Sequence, residues 1–156
     1  MTDVPDTPEQ LRARALRHLV RREHSCAELA RKLAPHAESP AALEALLDQL
    51  SAKKMLSDER YAHERARSLA RKYGAARIRQ DLRAKGVDRE TIAAVSTGDE
   101  LERARAILSR KYRKPADTPK ELARRARFLQ GRGFSMAVIG RLLRDSDDLL
   151  LSSRDN

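Results

Sequence analysis

The sequence predicts an all-α protein: three tandem three-helix repeats packed end to end into an elongated curved rod. Three observations predict it. Leu, Ala, Arg and Glu dominate the 156 residues, while Gly and Pro number six each, a balance that favours helix. Apolar residues recur at helical spacing, as in Leu43, Leu46, Leu47 and Leu50 or Ala62, Ala66, Leu69, Ala70 and Tyr73, and no strand-like alternation persists. A pattern of leucines around paired glycines then repeats along the chain.

Periodicity and punctuation predict helices near 9–22, 26–34, 40–53, 58–72, 75–85, 89–95, 99–113, 119–131 and 136–145. Ser25-Cys26-Ala27-Glu28 and Thr118-Pro119-Lys120-Glu121 read as capping boxes, the second with proline at a first-turn position where its missing N–H costs nothing. Ser57, Asp88 and Ser135 are expected N-caps, and Gly74, Gly86 and Gly133 fall where helices should stop.

The repeat rests on several correspondences. Leu82…Gly86-Val87…Ile92 matches Leu129…Gly133-Phe134…Ile139. Leu29, Leu33, Leu43 and Leu46 fall on Ile78, Leu82, Ile92 and Val95 when shifted by 49. Leu69-Ala70-Arg71-Lys72-Tyr73 resembles Leu108-Ser109-Arg110-Lys111-Tyr112, and an insertion around Arg113 to Pro119 accounts for a change of offset later on. The organisation read from this is a flexible tail 1–8, repeats at 9–57, 58–98 and 99–145, and a C-terminal tail 146–156. One three-helix unit buries little apolar surface, so neighbours are expected to stack.

The chain carries 33 basic and 23 acidic residues, a net charge of +10. The excess climbs from +1 over residues 1–57 to +4 over 58–98 and +7 over 99–145, and the last 11 residues carry −2. Such a field gathers polyanions, so nucleic acid or an acidic protein groove is the expected partner. Cys26 is the one cysteine, which excludes an internal disulfide and fits a cytoplasmic setting. The N-terminus lacks a signal peptide, and no run approaches the length of a membrane span.

Binding rather than catalysis is expected. No phosphate-binding glycine loop and no zinc-protease helix is present, and no cofactor or metal is expected. His24-Ser25-Cys26 are adjacent at a helix start, so their side chains diverge, and a cap beside a small core residue accounts for them better than a nucleophile does. Glu59 and His63 could supply two metal ligands, but a surface pair explains them more simply. The arginines say more. Arg67 with Arg71 and Arg79 with Arg83 are like-charge i,i+4 pairs, and Arg124, Arg125 and Arg127 crowd one predicted helix. Such spacing costs stability unless an anion answers it, although a solvated face is the plainer alternative. Arg65, Arg71, Lys72, Arg77, Arg83, Lys85, Arg124, Arg127 and Arg132 are the expected contacts, chosen on charge density and helix position. The glycine turns also resemble those of a helix-turn-helix, yet the helix after Gly86 is short and begins with acids, which favours a structural role.

Four motifs in order resemble the RecX family of RecA regulators. They are Ser25-x-x-Glu28-Leu29-x-x-Lys32-Leu33; Leu56-Ser57-Asp58-Glu59-Arg60-Tyr61-Ala62; Tyr73-Gly74…Arg77-Ile78…Leu82…Lys85-Gly86-Val87; and Phe128-Leu129…Arg132-Gly133-Phe134-Ser135…Ile139. The resemblance spans about residues 11–145. Tyr61 stands where Phe is commoner, Cys26 where a polar residue is usual, and the Asp147-Asp148 tail falls outside the pattern. The resemblance implies tandem three-helix repeats and no enzyme activity. It implies a cytoplasmic monomer that binds the RecA nucleoprotein filament, inhibits its ATPase, strand exchange and coprotease activities, and so acts in DNA recombination, repair and the SOS response. It also implies weak direct binding to DNA. Asp58 is expected to serve its helix dipole, and Tyr61 to pack between repeats.

Overall fold

A computed structural model describes residues 4–152, with side chains as far as Arg144. The described residues form nine α-helices and no strand: α1 Pro8–Arg21, α2 Cys26–Leu33, α3 Pro40–Ala52, α4 Asp58–Leu69, α5 Ala75–Ala84, α6 Arg89–Ala94, α7 Glu100–Lys111, α8 Pro119–Gly131 and α9 Met136–Ser152. A 3-10 turn, Ala34–His36, follows α2. α9 therefore continues through residues assigned above to the tail, whose acidic and leucine side chains lie outside the described residues.

Caps set most boundaries. Ser25, Ser57, Asp88, Thr118 and Ser135 each accept from a backbone N–H three residues on, as expected. Neither expected capping box closes, however. Glu28 turns away to a bidentate pair with Arg22 at 2.8 and 3.2 Å, and Glu121 pairs with Arg124 at 3.2 Å. A charge-assisted bond to a guanidinium outcompetes a neutral backbone N–H. A reciprocal box does join Thr7 and Gln10 at the start of α1.

Two compact units emerge: the chain up to Arg65 with Leu82–Val95, and Ala66–Asp81 with Ser96 onward. In the first, Leu11, Ala15, Leu29, Leu33, Leu46, Leu47, Leu50 and Leu56 make a leucine core among α1, α2 and α3. Asp6 fixes the chain before α1, its N–H bonded to the His36 carbonyl and its carboxylate to Arg14. In the second unit, Ala104, Ile107, Leu129, Phe134, Ile139 and Leu142 form the core among α7, α8 and α9. The four leucines of α3 face inward as their spacing predicts: three are buried and Leu43 packs against them.

One structural junction occurs twice, once in each unit. In the first, the Ser25 hydroxyl donates to the Lys85 carbonyl at 2.7 Å, and the Asp58 carboxylate accepts from the Cys26 N–H at 2.7 Å. Gly86, at φ +82°, passes so close that a Cβ there would overlap the Ala27 side chain. In the second, the Gly74 N–H donates to the Arg132 carbonyl at 2.7 Å, and Glu100 accepts from the Ala75 N–H at 2.7 Å. Gly133, at φ +92°, lies against Arg77, so that a Cβ would fall 2.5 Å from Arg77 Cβ and 2.7 Å from its nitrogen. Gly86 and Gly133 thus occupy the expected left-handed turns, and each also permits a backbone approach that no side chain allows. Gly74 is different: it is required by contact, since a Cβ would strike the Gly133 carbonyl.

His24 is buried at 2% exposure. Its Nδ1 donates to the Arg22 carbonyl and its Nε2 accepts from Lys32 Nζ, both at 3.0 Å. That pair of partners fixes the neutral ring. Burial pushes its pKa below the ordinary value, with nearby Arg22 and Lys32 adding to the effect and the Arg22 carbonyl and Glu28 opposing it. His18, 5.6 Å away, is depressed by burial and by Lys32.

Two predictions follow from this packing. Gly133→Ala should cost about 1–3 kcal/mol through a strained φ alone, with the clash added. Gly140→Ala, in open space within α9, should be neutral or stabilising by up to about 1 kcal/mol; denaturant melts of both variants check the contrast. For His24 the folded pKa lies below the unfolded value of roughly 6.5. Protons then favour the unfolded chain, so stability is complete above that value and is lost as pH falls through it. His24→Gln should flatten the fall in urea midpoint between about pH 7.5 and pH 5.5, leaving the smaller slope due to His18.

Candidate functional site

The candidate contacts are mainly arginines. Of the nine expected contacts, three lie in the first unit. Arg83 is exposed on α5, while Arg65 and Lys85 are half-buried. Lys85 also lends its carbonyl to the junction with Ser25. The other six lie in the second unit. Arg71, Lys72, Arg77, Arg124 and Arg127 are exposed, and Arg132 is half-buried. Arg124 is joined to Glu121 by an exposed i,i+3 pair, which holds it weakly.

The structure brings Arg77 and Arg132 together. The Arg77 guanidinium stands 4.6 Å from the Tyr73 ring centre and donates to the Gly131 carbonyl at 2.9 Å. Arg132 stands 5.5 Å from the same ring and 5.2 Å from Phe128. From there the series continues through residues outside the expected set. Lys111 lies 4.0 Å from the Phe128 ring centre and 5.7 Å from that of Tyr112. Arg125 lies 4.6 Å from Tyr112, whose ring meets Phe128 edge-on at 6.1 Å. Cations and rings alternate as Arg77, Tyr73, Arg132, Phe128, Lys111, Tyr112 and Arg125.

Other arginines serve the fold. Arg103 Nη1 donates to the carbonyls of Ala70 and Tyr73 at 3.1 and 2.7 Å, and so answers the open C-terminal end of α4. Its Nε and Nη2 are buried without a hydrogen bond. Burial lowers its pKa, opposed by Glu100, 3.9 Å from Nη2. Arg110 donates to the Arg71 carbonyl at 2.8 Å. Arg125, taken above as part of a surface cluster, is instead buried and donates to the Lys114 carbonyl at 2.7 Å. Its stem and ring contact explain this: a guanidinium sheds water readily against an aromatic face. Asp58 does more than serve its own dipole, since it caps α2 from α4. The one sign of these long-range roles in the sequence is the recurrence of Arg-Lys-Tyr at 71–73 and 110–112.

A separate groove of about 320 Å³ between α1 and α3 is lined by Leu11, Ala42, Ala45 and Leu46 together with Glu9, Arg12 and Glu38. No group of three metal-ligating side chains occurs among the described residues. No helix among them is long and apolar enough to cross a membrane.

Comparison with known families decides the relationship. Residues 57–95 match the family model for the second three-helix domain of RecX, and residues 98–143 the model for its third. The chain is 49% identical to the regulatory protein RecX of Leptothrix cholodnii, with 88% of this chain and 89% of that protein covered. The chain belongs to the RecX family. The regulatory protein RecX of Ralstonia nicotianae is 42% identical, with 94% of each chain covered. The crystal structure of RecX from Lactobacillus salivarius superposes with a TM-score of 0.79 at 17% identity, covering 90% of this chain and 96% of that one. A second RecX crystal structure gives 0.74 at 22% identity, covering 88% and 73%. The all-helical fold with repeated RecX domains is thereby shown, and the chain is a member of a family of regulatory proteins.

The carboxylate caps generate a prediction of their own. Asp58→Ala leaves the Cys26 N–H without its partner and should cost about 1–2 kcal/mol, within the range of N-cap losses. Asp58→Asn, which keeps an acceptor oxygen, should cost less than half of that; thermal melts of the two variants test the order.

Proposed function

We propose that the protein is a negative regulator of RecA that binds the RecA–DNA filament and inhibits its ATPase, strand exchange and coprotease activities. The observation that carries this reading is the set of exposed basic side chains in the second unit, Arg71, Lys72, Arg77, Arg124 and Arg127 beside Arg132, on a chain of the RecX family. Arginines presented in this way suit acidic protein surfaces and phosphates alike, because the planar guanidinium forms paired bonds to either. A nucleoprotein filament offers both. On this reading its effect on RecA is steric and allosteric. It acts as a cytoplasmic monomer on this reading, with repeats at 9–57, 58–98 and 99–145.

A direct duplex reader is the second reading, and the helices themselves argue against it. α6 has six residues, begins Arg89-Glu90 and is capped by Asp88. α9 opens with Met136, Ala137 and Val138, which offer no hydrogen bonds to base edges where a recognition helix makes its contacts.

The purified protein should slow ssDNA-dependent ATP hydrolysis by its cognate RecA at near-stoichiometric amounts. Reversing Arg124 and Arg127 to Glu should weaken that inhibition about tenfold or more, in line with the cost of placing like charges across a complementary contact. Unchanged RecA turnover at low salt with folded protein rejects the reading. Tight duplex binding without RecA, falling by roughly 0.9 in log affinity per unit log salt for each neutralised phosphate, supports the second reading instead.

A further inference from the structure

Positive charge dominates the chain, but not in α3. Between His36 and Lys53 there is no basic residue, and Glu38, Glu44 and Asp48 all fall in that stretch. The three carboxylates are exposed. The groove between α1 and α3 is walled on one side by Ala42, Ala45 and Gln49, which share a helix face at i, i+3 and i+7. Leu43, Leu47 and Leu50 of the same helix turn to the core instead. Ala45 is exposed and Ala42 half-buried, so side chains no larger than a methyl face the valley. Asp6, also on the lining, is neutralised by Arg14 at 2.8 Å. Glu9 and Glu38 are exposed and have no ion pair among the described residues. Arg12 is the single cation on the lining, which leaves carboxylate in excess.

We propose that this groove docks a basic amphipathic helix of a partner protein, with its apolar side chains seated between α1 and α3 and its Lys or Arg side chains paired with Glu9 and Glu38. The alanines let a third helix approach closely, because the side chains at a contact set the distance between helix axes. An apolar stripe laid into a groove between two helices is a common way to hold such a segment. A volume of about 320 Å³ suits anchors from successive turns of one helix. Charge selects the kind of helix. Nucleic acid or an acidic peptide would bring like charge against Glu9 and Glu38, whereas a basic segment meets opposite charge on both. Helix propensity alone would account for alanine at 42 and 45, but not for the cavity that separates them from α1.

This site goes beyond the filament reading and needs no RecA. Fluorescence anisotropy of the full-length protein with two labelled helical peptides of about 16 residues tests it. Both peptides carry lysine along one face; the other face has leucine at i, i+3 and i+7 in the first and glutamine there in the second. A chain of net charge +10 repels both at long range, so binding reports a local acidic site. The leucine peptide should bind at least about tenfold more tightly, as one buried leucine supplies. Ala45→Arg, at an exposed position, fills the groove and opposes a basic ligand, and should weaken binding about tenfold or more. Glu38→Gln should weaken it about threefold, and Glu64→Gln, an exposed carboxylate on α4, should leave it unchanged. Failure of the leucine peptide to bind the parent protein overturns the proposal. Equal affinity for the two peptides does so too, since it would reduce the site to charge. Undiminished binding to an Ala45→Arg protein that melts as the parent does places the peptide elsewhere and rejects the groove. A dimer of the protein alone in sedimentation, dissolved by Ala45→Arg, gives the groove to a second copy and also overturns the proposal.

Discussion

Everything specific about this molecule depends on a close backbone approach at a glycine turn, sealed by a carboxylate from the following helix. The approach brings Gly86 against Ala27, and Gly133 against Arg77 and Gly74. Once it is made, the first N–H groups of α2 and α5 would face a crowded interface without water. Asp58 and Glu100 supply their acceptors at 2.7 Å. An unpaired N–H at such a place costs more than an ordinary hydrogen bond contributes, so steric fit and polar satisfaction select the same arrangement. In the second unit the junction also places two guanidinium groups. The Gly74–Arg132 backbone bond fixes where the Arg132 guanidinium can reach, and the packing of Gly133 on Arg77 does the same for Arg77. Both then meet the Tyr73 ring.

This changes what the positive charge means. A net charge of +10 reads at first as a polyanion-binding surface. Part of it is internal joinery instead. Arg77, Arg103, Arg110 and Arg125 each donate to a backbone carbonyl at or beyond a helix end. Five donors on a weakly hydrated, rigid plane suit that task. The field outside is still set by the sum of charges, because a guanidinium bonded to a neutral carbonyl stays charged. Structural and external roles of one arginine therefore coexist, as Arg77 shows by binding the Gly131 carbonyl while remaining exposed.

Local features were legible in the sequence, and distant ones were not. All nine helices, their caps at Ser25, Ser57, Asp88, Thr118 and Ser135, and the left-handed glycines at 86 and 133 follow from residues within a few positions of one another. α4 ends at Leu69 rather than near 72, because Arg103, from 33 positions on, takes the Ala70 carbonyl and bends the chain into its turn. Glu28 and Glu121 have the spacing of capping-box partners but find guanidinium groups, a competition that depends on side-chain reach. The family motifs located the junction without explaining it: Asp58 and Gly74 matter for what they touch in another helix. The basic stretches were readable from the sequence as charge, whereas the burial of Arg125 and the gathering of three rings among cations required the fold.

The two junctions also show how one scaffold acquires different chemistry. A shift of 49 places His24 on Tyr73, Ser25 on Gly74 and Cys26 on Ala75. A helix start meets a left-handed glycine turn in both, yet the residue before the cap differs in where its ring goes. His24 turns inward, where the Arg22 carbonyl and Lys32 amine hold both nitrogens and its burial excludes outside partners. Tyr73 cannot be held that way, since its ring carbons form no such bonds, and it lies half-exposed under two guanidinium groups. Lys32, which closes the first site, corresponds to Asp81 in the second, and the Tyr73 ring has Arg77 and Arg132 beside it. The corresponding ring is therefore buried and neutral in one unit, and half-buried beside two cations in the unit with the greater positive charge.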